Sequence, residues 1–104
     1  MTTVRVFGGA CRFNTVIEAR RNGLSVEIGV KSECSAVNKL AKEITAVKYE
    51  DIFLKTHNVF ENIIYACAGK HLKHADCPVP CGIMKAILVE LGIQRKEAPR
   101  FEFE

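Results

Sequence analysis

Five cysteines, Cys11, Cys34, Cys67, Cys77 and Cys81, are the side chains in this 104-residue chain best suited to chemistry. In a reducing compartment disulfide scaffolding is a poor default, and an odd number cannot all pair within one chain. Metal ligation, catalysis and plain burial are the alternatives. Four thiolates in a tetrahedral arrangement hold zinc or an iron–sulfur cluster, and histidine can replace one of them. The set expected here is Cys11, Cys34, Cys67 and Cys77, with Cys81 or His74 as substitute. The gaps between successive cysteines are 23, 33, 10 and 4 residues, unlike the tight pairs of zinc fingers and ferredoxins. Any shared site must therefore be assembled by the fold.

The elements that would assemble it can be read from the residue pattern. Val4 and Val6 alternate with Thr3, Arg5 and Phe7, and this first strand stops at Gly8-Gly9. A second strand runs from about Phe13 to Arg20. Asn22-Gly23 between alternating runs predicts a two-residue hairpin loop, with Arg21 facing Leu24, Ala19 facing Val26, Ile17 facing Ile28 and Thr15 facing Val30. Glu18 would then oppose Glu27. Ser32-Glu33-Cys34-Ser35 opens a helix with Val37, Leu40, Ala41 and Ile44 on its apolar face, and Ser32 or Ser35 can cap it.

Residues 49–54 read as a short strand or a helical connection. A second helix is expected from Thr56 or Asn58, its stripe formed by Val59, Phe60, Ile63, Ile64, Cys67 and Ala68, with Gly69 as its stop and a polar loop from His71 to Asp76. The prolines at positions 78 and 80 suit a helix start, so a third helix runs from there to Gly92, burying Ile83, Met84, Ile87, Leu88 and Leu91. The alternating end, Arg100-Phe101-Glu102-Phe103-Glu104, is read as a last, edge strand. Together these make a single α+β domain over residues 1–104: an antiparallel sheet of three or four strands with three helices on one face.

Topology places the thiols. If the first strand runs up, Cys11 after it and Cys34 after the third strand lie at one end of the sheet. Cys77 and Cys81 flank another helix start, where the positive end of the helix favours thiolate. Cys67, ten residues before Cys77, is a candidate neighbour.

Each residue also has a plainer reading. Cysteine packs as a small apolar group, so Cys67 fits its helix stripe without a ligand and Cys81 fits a position against the sheet. His57, His71 and His74 lie at helix ends or in a loop, where solvation is the ordinary state. Cys77 with His74 is the one close nucleophile–base pair. Cys77 and Cys81 have three residues between them, where a thioredoxin-type couple has two. Gly8-Gly9 lacks the pattern of a phosphate loop.

Composition narrows the classes. The net charge of +3 is spread along the chain, which excludes a nucleic-acid surface. Mean hydropathy is near zero, and no apolar run approaches the ~18 residues of a membrane span. Met1-Thr2-Thr3-Val4-Arg5-Val6 reads as a strand rather than a secretory signal, so the cytoplasm is expected.

The Gly9-x-Cys11 turn, Cys34 at a helix start, and His74-x-x-Cys77-Pro78-Val79-Pro80 followed by Ile83-x-Lys85-Ala86 resemble a family of small uncharacterised proteins of anaerobic bacteria and methanogenic archaea. The resemblance covers most of the chain. It implies no established activity and carries over no functional residue, but an anaerobic setting favours an iron–sulfur cluster over zinc. Three functional classes follow: a thiolate metal or cluster protein, an interaction or oligomeric module with buried cysteines and no cofactor, and a thiol-dependent redox enzyme. The second would take a protein partner or another copy of this chain.

Overall fold

A computed structural model describes residues 1–53 and 58–104. The N-terminal half is a meander: β1 (Thr2–Phe7), β2 (Asn14–Asn22), β3 (Ser25–Ser32) and, after helix α1 (Ser35–Glu43), β4 (Ala46–Lys48). The four strands form one antiparallel sheet in the order β1-β2-β3-β4. Helices α2 (Tyr49–Phe53), α3 (Ile63–His71) and α4 (Val79–Glu90) follow. The expected edge strand at residues 100–104 is absent, and Phe101 and Phe103 are exposed there. The fourth strand is β4 instead. Val47 is buried opposite Val26, so the place beside β3 is filled long before the chain reaches Arg100.

The β2–β3 hairpin differs from expectation by two residues. Asn22 pairs with Ser25, Arg21 with Val26, Ala19 with Ile28, Ile17 with Val30 and Thr15 with Ser32. Gly23 and Leu24 form the loop, and the positive φ falls on Gly23 (63°) but not on Asn22 or Leu24. That is the requirement of a type II′ turn, with glycine first. A two-residue shift preserves the alternation of faces, so Ile17 and Ala19 still point inward. It also replaces the expected Glu18–Glu27 repulsion with Arg20 opposite Glu27.

The inward face carries Ile17, Ala19, Val26 and Ile28, all buried, with Val4, Val6 and Val30 packed beside them. Helices α1 and α4 lie on this face, and α3 packs against both. Leu40 of α1, Ile64 of α3, and Ile83 and Ile87 of α4 are fully buried in the shared core. Helix α4 sits unusually close to the strands. A Cβ at Gly82 would stand 2.7 Å from Val6 Cγ2 and 3.1 Å from Ile17 Cδ1, so glycine is what permits the approach.

Helix α3 starts later than the Thr56 or Asn58 expected, the former lying outside the described residues. Asn58 Oδ1 accepts from the Glu61 N–H at 2.9 Å, making a local turn, and Asn62 Oδ1 accepts from the Ile64 and Tyr65 amides at 2.9 and 3.2 Å. These side chains hold the first amides, so the helix begins at Ile63. Val59 and Phe60 consequently fall before the helix and are exposed.

The direction of α4 is fixed at its far end by Glu90. Its carboxylate accepts from Thr2 Oγ1 at 2.7 Å and from the Arg21 N–H at 2.8 Å. The Arg21 amide, then Thr2, hold the Glu90 carboxyl below its ordinary value near 4.5. A carboxyl lowered in the folded state contributes stability that is complete above the unfolded value and lost on acidification below it. Glu90→Gln is therefore expected to flatten the acid side of the stability curve below about pH 4.5 and leave the neutral side parallel to the native protein. Urea midpoints measured across pH check this; an unchanged acid slope would contradict it.

Candidate functional site

Three thiols meet the same rim of the sheet. Phe7 pairs with Asn14, and between them a 3-10 turn (Gly9–Cys11) carries Cys11. The turn is closed by Gly8 N–H to Phe13 O (2.9 Å) and Arg12 N–H to Gly9 O (2.8 Å), and the Cys11 sulfur folds over Gly8. Next door, the Glu33 N–H donates to Asn14 O at 3.1 Å, while Glu33 Oε1 accepts from the Asn14 amide and side chain at 2.7 and 3.0 Å. Cys34 is thereby tied beside the Cys11 turn.

Cys34 is the N-cap of α1, though its thiol makes no capping bond. Ser32 Oγ accepts the Cys34 N–H at 3.0 Å, and Asn38 bonds the Ser32 amide and carbonyl at 3.0 and 2.8 Å. The start of α1 is therefore rigidly placed.

Helix α4 brings the third thiol. Its last turn is anchored by Thr2, at one end of β1, and its first turn lies over Val6, at the other. Cys77, two residues before α4, therefore arrives at the Cys11 and Cys34 rim. Burial raises the Cys77 thiol pKa; the Val79 N–H donating to its sulfur opposes this, and the charges of Cys34, Cys11 and Asp76 raise it further. Cys77 therefore lies within range of the charges of both Cys34 and Cys11. Cys34 and Cys77 pack against the core, and Cys11 is exposed.

The other two cysteines lie elsewhere or one turn away. Cys81 is half-buried one turn into α4, with its charge felt by the Tyr65 phenol of α3, whose pKa is raised first by burial. Cys67 is at the far end of α1. Its thiol donates to Glu43 Oε2 at 3.1 Å, and Glu43 is the last residue of α1 whereas Cys34 precedes the first. At 1.5 Å per residue, α1 separates the two ends by about 13 Å. The fold thus gathers Cys11, Cys34 and Cys77 and leaves Cys67 in a different setting. His74 accepts the Cys77 N–H through its carbonyl at 3.2 Å, and His57 lies outside the described residues.

Around Cys67 is a second group that spacing did not reveal. His71 Nε2 lies 3.1 Å from Glu43 Oε1, and Lys70 Nζ donates to Glu43 Oε2 at 3.1 Å. His71, then Cys67 and Lys70, hold the Glu43 carboxyl down at about 2. Burial and the adjacent carboxylate push the Cys67 thiol up to about 11. Without a metal, that thiol is a poor nucleophile at neutral pH. The four-residue spacing of Cys67 and His71 is legible, but the expected stop at Gly69 is overrun: α3 continues to His71 and puts both side chains on one helix, and the approach of Glu43 is tertiary.

The fold and these sites define an α+β protein with a thiol-lined sheet rim and a separate mixed-donor cluster. The chain belongs to the family of unknown function DUF6951, whose family model matches residues 2–103. No curated protein and no solved structure matches it. Among the described residues, no helix is long and apolar enough to cross a membrane.

Proposed function

We propose that this protein binds an iron–sulfur cluster through Cys11, Cys34 and Cys77. The observation that supports this reading is the arrival of three thiols from three sequence-distant segments at one rim of the sheet. Cys34 is the N-cap of α1, and Cys77 lies two residues before α4, where the Val79 N–H donates to its sulfur and opposes the rise in pKa that burial imposes.

An iron–sulfur cluster is preferred to a zinc ion because the sequence resembles a family of anaerobic organisms, and four thiolates hold such a cluster. Cys81, four residues beyond Cys77 in the first turn of α4, is the thiol we assign to the fourth position.

Anaerobic reconstitution of the full chain with ferrous iron and sulfide tests this. The expected product is brown, with broad visible absorbance and iron and sulfide bound in matching amounts. A folded, colourless protein after reconstitution would sink the proposal.

A further inference from the structure

The geometry points to a second, independent metal site: Glu43, Cys67 and His71 bind a single zinc-type divalent ion. Their donor atoms all lie within 4.8 Å of one another, and they come from two helices that pack together, the end of α1 and the last two turns of α3. The carboxylate sits between the other two, 3.1 Å from the Cys67 sulfur through one oxygen and 3.1 Å from His71 Nε2 through the other.

These spacings are near what an ion needs. With Zn–N and Zn–O near 2.0–2.1 Å and Zn–S near 2.3 Å, tetrahedral ligands stand about 3.3–3.6 Å apart. The two 3.1 Å contacts run to different carboxylate oxygens. With one oxygen ligating, all three donors lie within 4.8 Å, so the short contacts open slightly and a wider pair closes by at most about 1.5 Å. The donor set is sulfur, nitrogen and oxygen, a combination that suits borderline-soft zinc. Charge also closes: a carboxylate, a thiolate and a neutral imidazole neutralise a divalent cation. As the ion enters, the Cys67 sulfur–hydrogen bond gives way to a sulfur–metal bond, and the thiol proton leaves to solvent. With three protein ligands, the fourth position falls to water or another small ligand, as at an open zinc site.

Lys70 supplies the discriminating feature. Its ammonium occupies the same Glu43 oxygen as the thiol, at 3.1 Å, while its side chain is 65% exposed. In a purely structural network Lys70 is a contributing cation. Beside a bound metal it is a competitor that must swing into solvent, which its exposure permits.

The test is titration of the anaerobically purified full chain with cobalt(II) as a spectroscopic probe and zinc as competitor. With Cys11→Ser, Cys34→Ser and Cys77→Ser combined so that the rim cannot take up the probe, the site predicts one tightly bound cobalt with tetrahedral visible bands and a sulfur-to-cobalt charge-transfer band, displaced by one zinc. Cys67→Ser removes the charge-transfer band. His71→Asn, at a partly exposed position where folding is retained, weakens binding by at least about 100-fold, since even outer-shell partners of metal ligands are worth 10–100-fold. Lys70→Ala tightens binding several-fold. Cobalt binding indifferent to both Cys67→Ser and His71→Asn, or no tight binding to the folded chain, overturns the site. So does Lys70→Ala leaving the affinity unchanged or weaker. The rim thiols take no part in this titration, so its failure is distinguishable from failure at the rim.

Discussion

Serine at position 34 is expected to abolish cluster assembly while leaving the fold as stable as before. Cys34 is the N-cap of α1, and its own thiol makes no capping bond. Serine is among the preferred N-cap residues, and gaining such a bond is worth about 0.5–2 kcal/mol. The substitution removes one thiolate from the rim and partly exposed sulfur from the core edge, so the two effects on stability oppose each other. The net change should stay within about 1 kcal/mol. Cys77→Ser should behave alike, since a serine oxygen can accept the Val79 N–H that the sulfur now accepts. After anaerobic reconstitution both variants should be colourless, or hold a small fraction of the native iron, with urea midpoints near the native value. Cys67→Ser should remain brown. Full native iron content in the Cys34 and Cys77 variants would contradict the proposed ligand set.

Ile83→Ala carries the largest expected cost to stability. Ile83 is 0% exposed, and it follows Gly82, the residue that seats α4 on Val6 and Ile17. Truncating a buried isoleucine to alanine typically costs 2–5 kcal/mol, through lost transfer energy plus the cavity left behind. Here the rigid strands beneath α4 limit collapse, so about 3–4 kcal/mol is expected. A domain of this size has roughly 5–15 kcal/mol in total, so a large share would go. Urea unfolding should show a lower midpoint with an unchanged slope. Because α4 delivers Cys77, the same variant should retain its cluster less well. A loss below about 1 kcal/mol would mean that α4 does not pack as described.

Much of this arrangement can be read from residue patterns alone, and the limits have physical causes. The meander and its inward face follow from period-2 alternation, and a two-residue error in the hairpin leaves that face intact because the alternation itself repeats every two residues. For the same reason the ends of β1 and β3 share a rim whichever loop is chosen, and Cys11 and Cys34 come with them.

Other features depend on contacts that no local pattern encodes. β4 is three residues long, with one buried side chain, Val47, to mark it. The alternation of Phe101 and Phe103 looks like a strand, but a strand also needs an edge to pair with, and here the side chains are exposed. Val59 and Phe60 extend the helical stripe on paper, yet Asn58 and Asn62 take the local amides and delay the helix. Cys67 and His71 are four apart in sequence, but glycine at 69 reads as a helix stop that leaves His71 in a loop, whereas α3 runs on to His71 and sets the pair on one helix face. Glu43, which completes that group, lies 24 residues before Cys67 in sequence and is joined to it only by the packing of α1 against α3.

The central claim is positional, and iron itself can report the position. Crystals of the reconstituted protein, grown without oxygen, would be measured at the iron absorption edge. The anomalous difference map should place a compact group of irons at the sheet rim, among the sulfurs of Cys11, Cys34 and Cys77. Iron bound elsewhere, or a rim with three free thiols and no anomalous signal in iron-loaded protein, would contradict it.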